Sequence, residues 1–152
     1  MTPPELRHVA DLAIRVGTPF EVGETGLGER RVIDILGGTV SGPLLSGVVR
    51  PGGADFQVIR PDGLTELHAR YVLALDDGAT VYVENTGLRF GPPEALARLR
   101  RGEPVDPALI YFRTAPRFET AAPAYRWLTT HLFLASGRRR PDSVEIGLFQ
   151  VL

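Results

Sequence analysis

Residues 65–75, TELHARYVLAL, alternate charged and apolar side chains along their whole length. In an extended strand, Glu66, His68 and Arg70 share one face, and the apolar side chains between them share the other. The next four residues, DDGA at 76–79, are a turn signal that precedes a second alternating run, TVYVENTG. This pattern predicts a β-hairpin, and the rest of the fold can be worked out from it.

Other alternating runs lie on both sides of this hairpin, separated by segments rich in glycine and proline such as ILGGTVSGP and RPGGAD. Short strands at regular spacing with turn signals between them are typical of an antiparallel sandwich or barrel. The predicted strands are 6–16, 30–36, 39–49, 54–60, 65–75, 80–87, 109–115, 131–137 and 143–151.

Two helices are predicted among the strands. The segment GPPEALARLRRGEPVDP has proline and glutamate in its first turn, arginines late and Gly102 as its stop, and it carries few apolar residues, which favours the surface. The segment APAYRWLTTHLF predicts a shorter helix from about Pro123 to Thr130.

Composition excludes several kinds of chemistry and partner. The 152 residues suit one domain. The net charge is −1, and the nearest approach to a basic cluster, Arg138 to Arg140, is too short for a nucleic-acid footprint, which argues against nucleic-acid binding. No apolar run approaches the length of a membrane span, and no secretory signal is visible at the N-terminus, so a cytoplasmic location is expected. The chain has no cysteine and no lysine, which excludes thiolate catalysis, disulfides and Schiff-base chemistry on a side-chain amine.

Turn chemistry and matching of apolar faces predict how the central strands align. A two-residue type I′ turn at Asp77-Gly78 places Arg70 opposite Asn85. Matching faces across the RPDGL turn places Asp55 opposite Arg70, which yields a polar row of Asp55, Arg70 and Asn85. The neighbouring predicted rows are Gln57, His68 and Gly87, followed by Ile59, Glu66 and Arg89.

Two interpretations of this polar row stay open. In the first, the row is the solvated outside of a barrel, and such exposed cross-strand pairs are common and weak. In the second, the row lines a ligand pocket, because the same face becomes apolar towards the turn and pockets combine an apolar lining with a few polar groups. The apolar side chains that would fill the barrel in the first case are Phe56, Val58, Leu67, Tyr71 and Leu73.

Several segments also resemble a known family. GGTVSGPLLSGVVRPGGADFQVIRPDG, HARYVLALDDGATVYVENTG, YFRTAPRFET and YRWLTTHLF are similar, in this order, to domain of unknown function 3237, also called the UPF-0311 uncharacterised proteins. The resemblance implies a small closed or nearly closed antiparallel β-barrel, often a dimer, and implies little about activity. Phe56 and His68 depart from the family pattern, whereas the residues that keep its residue types are Asp55, Arg70, Asn85, Arg113 and Glu119.

Asp55 and Arg70 are the candidate catalytic residues. A carboxylate in a partly apolar cavity can act as a general base next to a carbonyl, while a guanidinium fork can hold a carboxylate or keep an aspartate ionised. Asn85 could donate a hydrogen bond to the enolate oxygen. The candidate substrate-binding residues are Gln57, His68, Asn85, Tyr111, Arg113 and Glu119.

Metal and cofactor sites are not expected. His8, His68 and His131 are isolated from one another in sequence, and none belongs to a metal-ligand motif. The glycine-rich segments lack the ending of a phosphate loop and the strand-to-helix context of a dinucleotide fingerprint. No cofactor and no metal are therefore predicted.

The leading hypothesis is a cytoplasmic, homodimeric β-barrel that binds a small carbonyl or carboxylate compound and performs cofactor-independent acid/base chemistry of isomerase, lyase or cyclase type. A ligand-binding barrel without catalysis and a dimeric interaction module are the alternatives. The presence and lining of an interior cavity distinguish the three.

Overall fold

The computed structural model describes all residues from 1 to 152. It contains ten β-strands and two short α-helices, and neither helix is long and apolar enough to cross a membrane. The strands are β1 (Leu6–Val16), β2 (Phe20–Thr25), β3 (Gly28–Ser41), β4 (Gly47–Val49), β5 (Gly53–Ile59), β6 (Thr65–Leu75), β7 (Thr80–Phe90), β8 (Tyr111–Glu119), β9 (Phe133–Arg139) and β10 (Ser143–Val151); the helices are α1 (Pro93–Arg100) and α2 (Trp127–Thr130).

The strands close into an antiparallel barrel, as predicted. β1 pairs with both β10 and β3, so the order β1-β10-β9-β8-β7-β6-β3 returns to its start through the short strands between β6 and β3. β4 and β5 both pair with β3 and β6 at different heights, and together they occupy one position in the barrel. The barrel therefore has eight strand positions, and β2 pairs only with β3.

Alternation of side chains builds the core. In β8 the buried residues are Phe112, Thr114, Pro116 and Phe118, and every residue between them is exposed. The same period of two brings Leu73 and Val81, directly opposite each other, into full burial. Because the barrel is closed, one face of each strand meets the interior and the other meets solvent.

The turn between β6 and β7 differs from the prediction. Residues 76–78 form a three-residue loop, which is closed by a hydrogen bond that Leu75 N donates to Ala79 O (2.8 Å). Gly78 alone has a positive φ (89°), whereas a type I′ turn also requires positive φ at Asp77. The register therefore moves by one residue, and Asn85 lies opposite Ala69 instead of Arg70.

The predicted register between β5 and β6 is wrong by one residue as well. Asp55 lies opposite Ala69, and Arg70 lies opposite Ala54. A slip of one residue turns a strand over relative to its neighbour. Phe56, which fills the barrel only in the interpretation with a solvated polar row, is 40% exposed on the outside. Both registers differ from the prediction by one residue in the same direction along β6. Asp55 of β5 and Asn85 of β7 therefore stay in one row, in which Ala69 of β6 takes the place predicted for Arg70.

Three further strand predictions need correction. β2 was not predicted, and the predicted strands 30–36 and 39–49 are in fact the long strand β3 and the short strand β4. β3 runs through the glycines at 37 and 38, the first of which has a φ of 131°. The predicted strand 109–115 ends too early, because β8 continues through Pro116 to Glu119. Proline is tolerated there since β8 pairs with β9 only at Arg113 and Thr114.

Both helices were predicted correctly, with the second preceded by a 3₁₀ turn at Pro123–Tyr125. In α1, proline occupies the first turn and Gly102 follows the end with a φ of 73°. Its Arg100 pairs with Glu29 of β3, which ties the helix to one end of the barrel.

We expect Gly78→Ala to lower the free energy of unfolding by about 1 kcal/mol, because an L side chain at a positive φ strains the backbone. No atom lies within 4 Å of the added Cβ, so the effect comes from backbone conformation alone. Gly26→Ala is the matched control, since that site is equally open and has no positive φ. Urea unfolding of both variants measures the difference, and equal stabilities would contradict the positive φ of Gly78.

Candidate functional site

A cavity of about 50 Å³ lies inside the barrel. It has room for roughly three or four water-sized groups. Its lining is mostly apolar, with polar side chains on β5, β6, β7, β8 and β9. The apolar residues include Ile14, Val16, Ile33, Ile35, Phe112, Val144 and Ile146, and the polar ones are Asp55, Gln57, Tyr71, Asn85, Arg89, Thr114 and Arg139.

A chain of hydrogen bonds holds the Asp55 carboxylate in this cavity. Arg31 Nε donates to Gln57 Oε1 (2.9 Å), and Gln57 Nε2 donates to Asp55 Oδ2 (2.7 Å). The backbone N–H of His68 donates to Asp55 Oδ1 (3.0 Å). Each carboxylate oxygen thus has one protein donor, which fixes the orientation of the carboxylate and leaves each oxygen a lone pair.

Three buried polar atoms around the cavity have no hydrogen-bond partner. They are Asn85 Oδ1, Thr114 Oγ1 and Arg89 Nε. Buried polar groups in folded proteins are almost always paired, since an unpaired one costs about 1–3 kcal/mol. Three such atoms on the lining of one cavity are what a ligand site with several polar contacts would show.

Burial raises the pKa of two acidic groups in the cavity. It raises the pKa of Asp55, while hydrogen bonds from Gln57 and His68 and the charges of Arg89 and Arg31 act in the opposite direction. Burial also raises the pKa of Tyr71, so the phenol is neutral and can donate a hydrogen bond. A carboxylate whose pKa is raised is a better proton acceptor once it is ionised.

A second, larger cavity of about 360 Å³ lies at the end of the barrel that α1 covers. Leu96, Leu99 and Arg100 of α1 line one side of it. We call this second cavity the mouth of the barrel. Arg89 and Arg139 line both the mouth and the interior cavity, so the two spaces meet at these side chains. Arg31 lines the mouth and reaches the interior through Gln57.

The structure brings together some of the predicted site residues and separates others. Gln57 and Asn85 lie in the cavity with Asp55. Arg70 is exposed on the outer face, where its cross-strand neighbour is Glu84. His68 is also outside, with Nε2 at 3.0 Å from Glu84 Oε1. The predicted convergence of Arg70 and His68 with Asp55 is therefore wrong, because the register slip turned β6 over.

The predicted polar set on β8 is outside as well. Tyr111 is 56% exposed, and Arg113 stacks over its ring at 5.5 Å. Glu119 is exposed on the same face. Tyr111 and Arg113 share the outer face of β8, and the other face, with Phe112 and Thr114, is the one that meets the cavity.

Sequence reasoning missed Arg31, Arg139 and Thr114 as cavity residues, placed Arg89 only in an outlying row, and assigned Tyr71 to the barrel filling. Arg31 had a usable signal, because it lies in phase with the buried Ile33 and Ile35 on β3. No group of three or more histidine, cysteine, aspartate or glutamate side chains is arranged to hold a metal ion. The prediction that no cofactor is used stays a prediction.

Comparisons with known proteins agree with this architecture. Residues 4–151 match the family described as "Protein of unknown function (DUF3237)". A UPF0311 protein of Rhodopseudomonas palustris is 56% identical over 153 residues, covering 100% of both chains.

Two solved structures are similar over the whole chain. The crystal structure of a beta-barrel like protein from Acinetobacter baumannii has a TM-score of 0.88 at 34% identity and covers 100% of this chain and 98% of its own. A crystal structure described as an enzyme from Penicillium herquei has a TM-score of 0.76 and covers 100% and 97%, but at 19% identity this likeness concerns the fold alone.

Proposed function

The chain belongs to the DUF3237 family of proteins of unknown function, as its motifs indicated, and we propose that it binds a small, partly apolar carbonyl compound inside the barrel and catalyses acid/base chemistry on it. Asp55 is the general base. The reaction is a cofactor-independent proton transfer of isomerase, lyase or cyclase type.

The observation that carries this proposal is an oriented carboxylate in a mostly apolar cavity beside unpaired polar atoms. Asp55 takes the proton from the carbon next to the carbonyl, and the electron pair of that C–H bond forms the enolate. The unpaired Thr114 hydroxyl donates a hydrogen bond to the enolate oxygen, and the Asn85 Nδ2–H group is a second donor, whereas the unpaired Asn85 Oδ1 accepts from a substrate hydroxyl. Return of the proton to another carbon completes an isomerisation, whereas loss of a β-substituent completes an elimination.

Gln57 serves as a positioning residue in this scheme. Its amide accepts a hydrogen bond from Arg31 and donates one to Asp55, so it orients the carboxylate. The hydrogen bond from Gln57 and the nearby charge of Arg31 both favour the ionised form of Asp55. Gln57→Glu would place a second carboxylate beside Asp55, raise the pKa of the pair and shift the rate profile to higher pH.

Hydrogen–deuterium exchange tests the proposed function without knowledge of the natural substrate. Small ketones and oxo acids are incubated with the protein in D₂O, and NMR follows the loss of the proton next to the carbonyl. We expect exchange above the buffer rate for compounds that the protein binds. If compounds bind but none of them exchanges its proton faster than in buffer, the proposal of an enzyme is rejected and a non-catalytic ligand-binding barrel remains.

A homodimer in the cytoplasm also remains our proposal. The supporting observation for a dimer is β2, which pairs only with β3 and exposes Phe20 and Val22 beside its unpaired edge. We expect light scattering to report about twice the 16.6 kDa chain mass, and Val22→Arg to yield monomers. A monomeric wild-type protein at micromolar concentration would contradict this proposal.

A further inference from the structure

Three arginines lie where the interior cavity opens into the mouth, and they give this part of the barrel an excess of positive charge. Arg31 and Arg89 are buried, and Arg139 is half-buried. Asp55 is the only carboxylate among the residues that line the interior cavity. With Asp55 ionised, the guanidinium groups therefore outnumber the carboxylates there.

Arg89 is the least compensated of the three. It is 5% exposed, it forms no salt bridge, and its Nε has no hydrogen-bond partner. Its guanidinium carbon lies over the ring of Phe112, 5.7 Å from the ring centroid, in a cation–π contact. A buried charge without a partner costs several kcal/mol, so an anion that binds beside Arg89 would offset this cost.

The other two arginines have partial compensation. Arg31 donates a hydrogen bond to Gln57, and its Nη1 lies 3.8 Å from Glu21 Oε1. The Glu21 side chain is half-exposed, so this salt bridge compensates the buried charge only in part. Arg139 donates to the backbone oxygen of Ser143 at 3.1 Å. Both retain donors for a further acceptor, because a guanidinium has five N–H groups.

The electrostatics agree with this picture. Burial, together with repulsion from Arg31 and Arg139, lowers the pKa of Arg89 to about 10 against the attraction of Asp55. Burial and repulsion from Arg31 lower the pKa of Arg139 too. All three arginines remain charged at neutral pH, and each would gain from an anion placed among them.

We propose that Arg31, Arg89 and Arg139 bind the carboxylate of an organic acid, with its reacting end in the interior cavity near Asp55 and its remaining atoms in the mouth under α1. The inference rests on the proposed function, since it takes the same cavity as the ligand site. A carboxylate suits the planar guanidinium fork and the limited space. The substrate class becomes oxo acids and related carbonyl acids instead of neutral ketones.

Matched acids and amides test this assignment. Calorimetry compares benzoate with benzamide and phenylacetate with phenylacetamide, at low salt and at 0.15 M salt. We expect the wild-type protein to bind each acid about 10- to 100-fold more tightly than its amide, because a charge-assisted pair in a partly buried site is stronger than a neutral one. The preference is expected to persist at 0.15 M salt, since buried pairs are poorly screened.

Arg89→Met and Arg139→Met are expected to remove the preference for the acid and leave the affinity for the amide within about threefold. Arg117→Met is the matched control, because Arg117 is exposed on the outer face of β8. Two independent variants keep the test valid if one of them fails to fold. Equal binding of acid and amide by the wild-type protein, or an unchanged preference in a folded Arg89→Met variant, would overturn the assignment, as would tighter binding of inorganic phosphate than of any carboxylate.

The acid/base proposal and the carboxylate proposal fail in different ways. Preference for acids without deuterium exchange on any compound would reject Asp55 as a base and retain the arginine site. Exchange on neutral ketones without any preference for acids would retain Asp55 and reject the arginine site. Asp55→Asn is expected to retain or strengthen binding of the acids, because it removes a negative charge from the same cavity.

Discussion

Asp55→Asn is expected to lower the rate of deuterium exchange by about 10²- to 10⁴-fold, which is the usual contribution of a positioned general base. Asparagine has nearly the same shape and can still accept the hydrogen bond from the His68 N–H. It has no carboxylate to take the substrate proton, so the barrel remains while the chemistry is lost.

The pH dependence of stability provides a second readout of Asp55. Because burial raises its folded-state pKa above the ordinary value of 3.8, protonation stabilises the folded state. That contribution is fully present below the unfolded pKa and is lost as the pH rises through the folded pKa. We therefore expect the stability of Asp55→Asn relative to wild type to increase over this pH interval, measured by urea unfolding at several pH values.

The exchange rate of the wild-type protein should rise over the same interval, since only the ionised carboxylate accepts a proton. Glu84→Gln is the matched control, because Glu84 lies on the outer face of β7 and contacts His68 instead of the cavity. A flat pH profile, or an equal loss of rate in both variants, would show that Asp55 is not the base.

Leu73→Ala is expected to lower the free energy of unfolding by about 2–5 kcal/mol, the usual range for a leucine removed from a well-packed core. Leu73 is 0% exposed and packs inside the barrel opposite Val81. Phe56→Ala is expected to cost only roughly 1 kcal/mol, because Phe56 is on the outside and loses a smaller buried area although it is the larger side chain.

This pair of variants tests the orientation of β5. The interpretation in which the polar row is solvated places Phe56 in the core, where its removal would cost about 3–5 kcal/mol. Chemical unfolding of both proteins at one pH distinguishes the two orientations of β5. A larger loss for Phe56 than for Leu73 would return Phe56 to the interior and move Asp55 and Gln57 to the outside, which would remove the basis of the proposed site.

The hairpin between β6 and β7 shows why sequence reasoning reached the right strands and the wrong faces. Alternation marked β6 at the bounds that the structure has, and the Asp-Gly pair marked the turn. The pair is compatible with a two-residue loop and with the three-residue loop that is present, and these differ by one residue in register. Local preference does not decide between them, and a difference of one residue exchanges inside and outside.

Asp55 and Asn85 were nevertheless placed in the same row. Both hairpins slipped by one residue, so the two outer strands kept their alignment while Arg70 left the row and Ala69 entered it. The interior position of Asp55 thus has support in the structure that the sequence could not supply, and the catalytic role of Arg70 loses its geometric basis.

The sequence by itself determined the family, the β-barrel class, both helices and the chemistry that a chain without cysteine or lysine cannot perform. These depend on composition and on contacts between neighbours along the chain. Only the tertiary structure decided which faces meet the interior and which distant side chains gather there. Arg31, Arg89 and Arg139 come from three strands, and it is closure of the sheet, which pairs β1 with β3, that encloses them around one cavity.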